Sequence, residues 1–411
     1  MPTKPFDKLR VKSSLRVPYG LAVHGKEEET RVLKVLREHR TIMGQEIREF
    51  EKNIAKEFGN TYGIMVNSGS SANLLAVELL NLPVGSEVIT PILTFATTVA
   101  PLLMKRLVPV FVDVEEDTYV VSAEDVGKAI TKKTKALMIP LLLGNVPNVQ
   151  KLASLAKKHK LQVILDSCDT LGATYNKKKI GLYGDISTNS FYGSHIITAG
   201  GNGGMVLTSN EKLAQRGRIL RGWGRGSASI GESENIEKRF ATKIDNIPYD
   251  AKFIFSEIGY NFLPSELGAA FGNAQYAKLS SFQNARKKNF AYLLNFFTKY
   301  SKYFILPRQN KNSSTSWHVF PLTIKSGTPF TRLELVTYFE KNNIQTRPIF
   351  TGVITKQPGF KNIQYKSTSK NFPVTENIMK NGLLLGCHQG LEQKHLKKIE
   401  EVFTSFLSEL Q

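Results

Sequence analysis

The chain has 411 residues, 41% of them hydrophobic and 22% charged, which fits a globular protein with a large core and excludes a disordered or fibrous one. Apolar runs never reach the roughly 18 residues a membrane-spanning helix needs, and the opening MPTKPFDKLRVKSSLRVPYG is basic without an apolar stretch, so no secretory signal is read and a cytoplasmic location is expected. Two cysteines, Cys168 and Cys387, exclude a disulfide framework and a closed structural zinc site, and the expectation is no metal. The formal net charge of +20 lies in scattered clusters such as TKKTK (131–135) and KKHK (157–160). That reads as a solvated surface, or as attraction to a polyanion such as a diphosphate. No zinc-finger spacing, RNP pattern or long basic helix points to nucleic acid.

In chain order, YGIMVNSGSSANLLAVELL (62–80) predicts strand, turn and helix. EVITP (87–91), VPVFVDV (108–114), KALMIPLLLG (135–144) and LQVILDSCD (161–169) are further strand candidates, separated by helix-like stretches such as NVQKLASLAKKHK (148–160). This alternation predicts an α/β domain with a mostly parallel sheet. KLSSFQNARKKNFAYLLNFFTKY (278–300) reads as a long helix leading into a second domain, which ends in the amphipathic EQKHLKKIEEVFTSFLSEL (392–410). The division expected is a large domain over 1–275 and a smaller C-terminal α/β domain over 276–411.

Four local features carry chemistry. In VNSGSSAN (66–73) a strand ends, Gly69 allows a tight turn and Ser70 opens a helix, which makes either a phosphate cradle or a plain serine cap. Asp166 in ILDSCD closes an apolar strand, where ligands of open α/β sheets bind; it caps a helix or pairs with a cationic ring nitrogen. Phe95, just past a strand end in TPILTFATT, is core or a stacking surface for a flat ring. STNSFYGSHIITAGGNGGMV (187–206) runs from a strand into a glycine-rich turn with His195 where the strand gives out. Phosphate cradle, carboxylate, ring-stacking aromatic and reactive loop, in this order, describe a pyridoxal 5′-phosphate site.

MGQEIREFE (43–51), NSGSSANLL (67–75), LDSCDTLGATY (165–175), SFYGSH (190–195), GYNFLPSELGAA (259–270) and SWHVFPL (316–322) resemble the sugar-nucleotide aminotransferases of the DegT/DnrJ/EryC1/StrS type over nearly the whole chain. The resemblance implies the aspartate-aminotransferase fold (PLP fold type I) and a homodimer with shared active sites. Members hold the cofactor as a Schiff base to a lysine after an SF(H/Y)PT-like run; here SFYGS is followed by His195, and imidazole supplies no primary amine. The substitution is similar to that of the family's sugar 3-dehydratases, which use the pyridoxamine 5′-phosphate form to remove the C3 hydroxyl of a nucleotide-linked 4-keto-6-deoxyhexose for surface polysaccharide such as lipopolysaccharide O-antigen.

The resemblance further implies His195 as the base, Asp166 at the pyridine nitrogen and Phe95 on the ring. It places Gly69, Ser70 and Ser190 at the phosphate, with Asn261 reaching in from the second subunit. Arg221 and Arg225 in RGWGR are candidate diphosphate contacts, and Arg347 and His388 candidate substrate contacts. One branch of the dehydratases carries an iron–sulfur cluster and draws on a reductase. A cluster needs about four thiolates, and RGSASIGESEN (225–235) has none, with Gly226 and Ala228 at ligand positions. No cluster is expected, and the chain looks like the cluster-free branch typified by GDP-4-keto-6-deoxymannose 3-dehydratase, in which glutamate restores the amine. Relatives carry an arginine shortly after GYN, suited to a glutamate carboxylate; here Phe262 and Leu263 follow. The family's T-x-GEGG turn is TAGGNGG (198–204), with Asn202 for the acidic residue. A reductase-coupled dehydrase and a non-catalytic binding or regulatory protein on the same fold are the competing expectations.

Overall fold

The computed structural model describes residues 15–229 and 235–410. Of the segments read above, positions 1–14 and the middle of RGSASIGESEN lie outside the described residues. Strands β1 (Tyr62–Val66), β2 (Glu87–Pro91), β3 (Val108–Val112), β4 (Thr134–Pro140), β5 (Gln162–Asp166), β6 (Ile186–Ser190), β7 (Gly204–Thr208) and β8 (Lys366–Ser367) form one sheet in the order β1-β7-β6-β5-β4-β2-β3-β8. The run from β6 through β8 is parallel and the two contacts of β7 are antiparallel, the mostly parallel sheet the alternation predicts.

Helices cover both faces, so the strands read as continuous apolar runs; all five residues of EVITP in β2 are buried. β6 is the exception. Its sequence ISTNS is polar and still buried throughout, and Thr188 and Asn189 find partners. Asn189 Nδ2 donates to the Ser167 and Thr170 carbonyls (2.6 and 3.1 Å), and Thr188 Oγ1 donates to Asn73 Oδ1 (2.6 Å). A polar central strand ending at a ligand-binding edge marks where the fold spends buried hydrogen bonds.

Three sequence-based strands stop early, LQVILDSCD among them at Asp166. KALMIPLLLG leaves the sheet at Pro140, and Leu142–Gly144 turns as a short 3₁₀ helix with Leu143 at φ 60° and Gly144 at φ 88°. VPVFVDV ends at Val112, and Asp113 instead accepts the Val374 and Thr375 N–H groups at the start of the helix Pro373–Asn381.

The helix Leu279–Thr298 leads to a four-stranded antiparallel sheet, ordered Phe304–Ile305, Phe320–Ile324, Gly382–Leu385, Thr346–Arg347 and packed by helices Arg332–Lys341 and Gln393–Ser408. The C-terminal half then returns to the large sheet, since β8 pairs in parallel with β3. One apolar cluster runs through both sheets, joining Phe50 and Phe191 to Phe297 and Phe320. The N-terminal segment crosses over too: Val17 bridges Ile344, and the Tyr19 N–H donates to Gln345 Oε1 (3.1 Å).

Candidate active site

A cavity of about 370 Å³ opens where β4, β5 and β6 end, closed on its other side by the loop after β6 and by His318 and Phe350 from the C-terminal half. One end is formed by Ser68, Gly69, Ser70 and Ser190. Ser68 caps the helix Gly69–Leu80, its Oγ accepting the Ser71 N–H (3.1 Å), so the helix N-terminus and its amides face the cavity. Gly69 is required by proximity. A Cβ there would stand 2.5 Å from Ser190 Cβ and 3.2 Å from Cys168 Sγ. The helix start thus packs directly on the end of β6, giving an amide-and-hydroxyl cradle for an anion.

Asp166 ends β5 buried beneath the cavity floor. Its Oδ2 accepts from Asn73 Nδ2 and Thr98 Oγ1, both at 2.8 Å, and its Oδ1 from the Cys168 N–H at 3.3 Å. Asn73 is held by Thr188, and Thr98 by Thr94 (2.9 Å), so five side chains form one buried run that fixes the carboxylate plane. Phe95 is 52% exposed and lines the cavity, meeting Phe350 edge to face at 5.9 Å. It is a ring held over a cavity rather than a core residue.

The loop after β6 is tied back on itself. Thr198 Oγ1 donates to the Phe191 carbonyl and accepts the Gly201 N–H (both 2.9 Å), while Gly200, Gly201 and Gly203 take φ of 71°, 102° and 136°, open only to glycine at low cost. The TAGGNGG variant therefore closes the turn, and Asn202 lines the cavity.

His195 sits half-buried on this loop. Its Nδ1 is shielded from water and has no hydrogen-bond partner among the described residues. Burial pulls its pKa down to about 4, with the Arg286 charge acting the same way and the Cys168 and Ser190 backbone and Asp166 opposing. No lysine lines the cavity among the described residues.

Several participants carry no local signature. Tyr19 reaches the cavity from the far N-terminal segment. Asn73, Thr94, Thr98 and Thr188 look like helix or strand filler, although a buried amide on an otherwise apolar helix is a signal in itself. Asp169 and His318 lie within stretches whose neighbours drew the attention. Burial raises the Asp169 carboxyl to about 7, with Asp166 adding to the rise, and burial holds His318 well below the usual imidazole range. Arg286, fully buried, donates to the His318 carbonyl (2.8 Å), the His195 carbonyl (3.3 Å) and Gln389 Oε1 (2.8 Å). It pins the reactive loop to the C-terminal half.

Two expectations are corrected. Arg221 is no diphosphate contact: it is buried, pairs with Glu51 through Nη1 (2.6 Å), and donates to the Met65 carbonyl (2.8 Å), while Glu51 accepts the Met65 N–H (2.8 Å). The pair clamps β1. His388 is no substrate contact either: it is buried, bonded through Nε2 to the Pro18 carbonyl (3.0 Å) and through Nδ1 to the Gly390 N–H (3.2 Å), and fixes the N-terminal segment.

Arg225 lies outside the cavity lining with its guanidinium over Trp223 (4.5 Å) and Phe253 (5.6 Å). Arg347 is exposed and stacks over Tyr19 (5.4 Å) at the rim. Asn261 is exposed and outside the cavity of its own chain, bridged to Gly222. Phe262 stacks flat on Tyr260 (4.6 Å).

Residues and cofactor fit. The cradle at Gly69 would be filled by any Cβ, Asp166 is oriented but retains acceptor capacity, Phe95 offers an exposed face, and His195 Nδ1 is unpartnered. Among the described residues no helix is long and apolar enough to cross a membrane.

The DegT/DnrJ/EryC1/StrS aminotransferase family model matches residues 23–404. The chain is 37% identical over 368 residues to the lipopolysaccharide biosynthesis protein RfbH of Salmonella typhimurium, covering 87% of this chain and 84% of that one. It is 35% identical to dTDP-4-dehydro-2,6-dideoxy-D-glucose 3-dehydratase of Saccharopolyspora spinosa, covering 94% and 86%. A crystal structure of GDP-4-keto-6-deoxymannose-3-dehydratase with a trapped PLP–glutamate geminal diamine superposes with a TM-score of 0.84 at 29% identity, covering 94% of this chain and 99% of that one. The α/β fold is thus that of these PLP enzymes, and the chain belongs to the DegT/DnrJ/EryC1/StrS aminotransferase family.

Proposed function

We propose that this protein is a pyridoxamine 5′-phosphate-dependent 3-dehydratase that removes the C3 hydroxyl of a nucleotide-linked 4-keto-6-deoxyhexose. One observation carries the reading: an imidazole, His195, stands with an unpartnered Nδ1 in a cavity otherwise equipped for the cofactor and without a lysine among its lining residues. When bound, the cofactor supplies an electron sink and a primary amine that condenses with the 4-keto carbon.

The chain's residues do the rest. The Ser68–Ser70 helix start and Ser190 hold the phosphate, and Asp166 keeps the pyridine nitrogen protonated, its plane fixed by Asn73 and Thr98. Phe95 covers one ring face. His195, which burial pulls down to about 4 and so keeps neutral near pH 7, would accept the proton given up at the cofactor's 4′ carbon and hand it to the departing C3 hydroxyl, which would leave as water. The two electrons come from glutamate, which is converted to 2-oxoglutarate and ammonia over the whole cycle. Phe262 and Leu263 follow GYN, so the glutamate carboxylate is met by another cation; Arg347 at the rim is the candidate. Residues 1–275 serve as the cofactor domain and 276–411 as the smaller domain that adds His318 and Arg347. A second copy would bring its Asn261 to the phosphate, making the protein a homodimer, and the enzyme would work in the cytoplasm without a metal.

Two of the named relatives are dehydratases of dTDP- and GDP-linked sugars, so the nucleotide is decided by assay. Two cysteines cannot supply a cluster's four thiolates, which favours turnover without a reductase. Purified protein given pyridoxal phosphate, glutamate and a panel of GDP-, CDP- and dTDP-linked 4-keto-6-deoxyhexoses should release ammonia from at least one of them with no reductant present. Turnover only with a flavin reductase would transfer the protein to the reductase-coupled class. A protein that leaves the cofactor's spectrum unchanged would be a binding protein on this fold.

A further inference from the structure

His195, Asp169 and His318 come from three separate parts of the chain: the loop after β6, the turn after β5, and the approach to the strand Phe320–Ile324. Each offers one ring nitrogen or carboxylate oxygen, and these atoms lie within 4.8 Å of one another. The two imidazoles meet edge to face at 4.9 Å, and the Nδ1 of each is buried with no hydrogen-bond partner among the described residues. Asp169 spends Oδ2 on the Leu143 N–H (3.0 Å). Arg286 holds the backbone carbonyls of both histidines, so the rings keep their relation. Buried polar atoms are rarely left unpaired, and a matched group of them signals a task.

We propose that Asp169 and His318 are positioning residues for proton transfer at His195: Asp169 supplies the counter-charge when His195 takes its proton, and His318 fixes which ring nitrogen receives it. This rests on His195 acting as the base. A buried imidazole is a reluctant base, because the cation it forms is poorly solvated. Asp169 is the carboxylate beside it that answers this. With the Asp169 proton released, the imidazolium forms against an anion, and its proton then leaves with the C3 hydroxyl, restoring the neutral ring. Asp166, Cys168 and Ser190 face the cluster from the strand ends, Arg286 from the helix Leu279–Thr298, and Tyr19 and His388 from the N-terminal crossing and the far side. None of these replaces Asp169: Asp166 is committed to Asn73 and Thr98, and Arg286 opposes a second cation.

Ring NMR of the full-length protein with labelled histidine tests this, without sugar nucleotide and with a chelator so that no divalent ion occupies the three groups. Loss of a signal in His195→Asn assigns that ring. The wild-type His195 shift should show, besides its own titration, an inflection near pH 7 that follows Asp169. Asp169→Asn should erase that inflection and leave the His195 midpoint near pH 4 in place, because Asp169 already carries its proton there and only its ionised form above pH 7 acts on the ring. His318→Phe should turn one dominant His195 tautomer into a mixture, read from the ring nitrogen shifts. A single inflection in the wild type, or an Asp169→Asn curve that overlays it, would overturn the proposal. The wild-type curve decides it even where a variant does not fold. With no substrate present, coupled titration without ammonia release counts against the dehydratase reading alone, and ammonia release without coupling against this inference alone.

Discussion

The two walls of the cavity are built on opposite terms. On the sheet wall, Asp166, Asn73, Thr98, Thr94 and Thr188 form one run of short hydrogen bonds, and Gly69 packs against Ser190 with no room for a methyl group. On the loop wall, His195 and His318 leave Nδ1 unpartnered among the described residues, and the backbone is held from behind by Arg286. A wall whose polar groups are bonded to one another is rigid and pre-organised for binding. A wall with spare polar atoms costs folding energy and keeps groups whose protonation can change. The difference separates holding the cofactor from moving its proton.

The sharpest way to break that division is His195→Asn. It removes proton transfer without touching the sheet wall, so turnover should fall about 10²–10⁴-fold, the usual worth of a general base, while the cofactor's absorbance on binding stays. Equal loss of binding would show that the loop wall holds the cofactor as well. The next largest effect lies behind the sheet wall. Arg221→Ala strands Glu51 and frees the Met65 carbonyl; breaking such a buried pair costs about 3–5 kcal/mol. The melting temperature should drop steeply, with KM for the sugar nucleotide unchanged in whatever remains folded. A raised KM at unchanged stability would return Arg221 to the diphosphate.

The same asymmetry governs what could be read without coordinates. On the sheet wall the residues that meet a ligand are local: apolar runs end in them, so Asp166 and the NSGSS turn stand out by position, while Asn73, Thr94, Thr98 and Thr188 behind them do not. The loop wall is assembled from distance. His195 is visible because a lysine is expected after SFYGS, whereas Asp169, His318 and Tyr19 reach the cavity only through the packing of the second half and the return of the N-terminal segment onto Gln345. Arg221 and His388 show the converse failure. An arginine in a glycine-rich RGWGR and a histidine in a C-terminal turn have the composition of ligand contacts, and burial with backbone partners gives both a structural role. Residue type says what a side chain can bind; whether water or a carbonyl already occupies it is a tertiary fact.

Gly69→Ala tests the packing of the sheet wall itself. A Cβ 2.5 Å from Ser190 Cβ must displace the helix start or the end of β6, and overpacking of this size costs about 1–3 kcal/mol. The expected outcome is weaker cofactor affinity, measured by spectroscopic titration, with His195 chemistry intact at saturating cofactor. Ser190→Gly in the same chain should relieve the clash and recover part of the affinity. No recovery would mean the phosphate relies on the Ser190 hydroxyl more than on the helix amides.

The smallest effect is expected at the rim, where neither wall's logic applies. Arg347 is exposed, its guanidinium lies over Tyr19 at 5.4 Å, and Nη1 donates to the neighbouring Thr346 carbonyl (2.6 Å). Removing such a group should leave stability within about 0.5 kcal/mol of the parent. An anionic ligand reaching the rim would still lose a charged partner. Arg347→Ala should therefore raise KM about tenfold, equivalent to about 1.4 kcal/mol, for glutamate or for the sugar nucleotide but not both, and more at low salt than at high salt. Steady-state kinetics with each substrate varied separately distinguishes the two. Unchanged KM for both would confine recognition to the cavity below and to whatever a second copy of the chain brings to it.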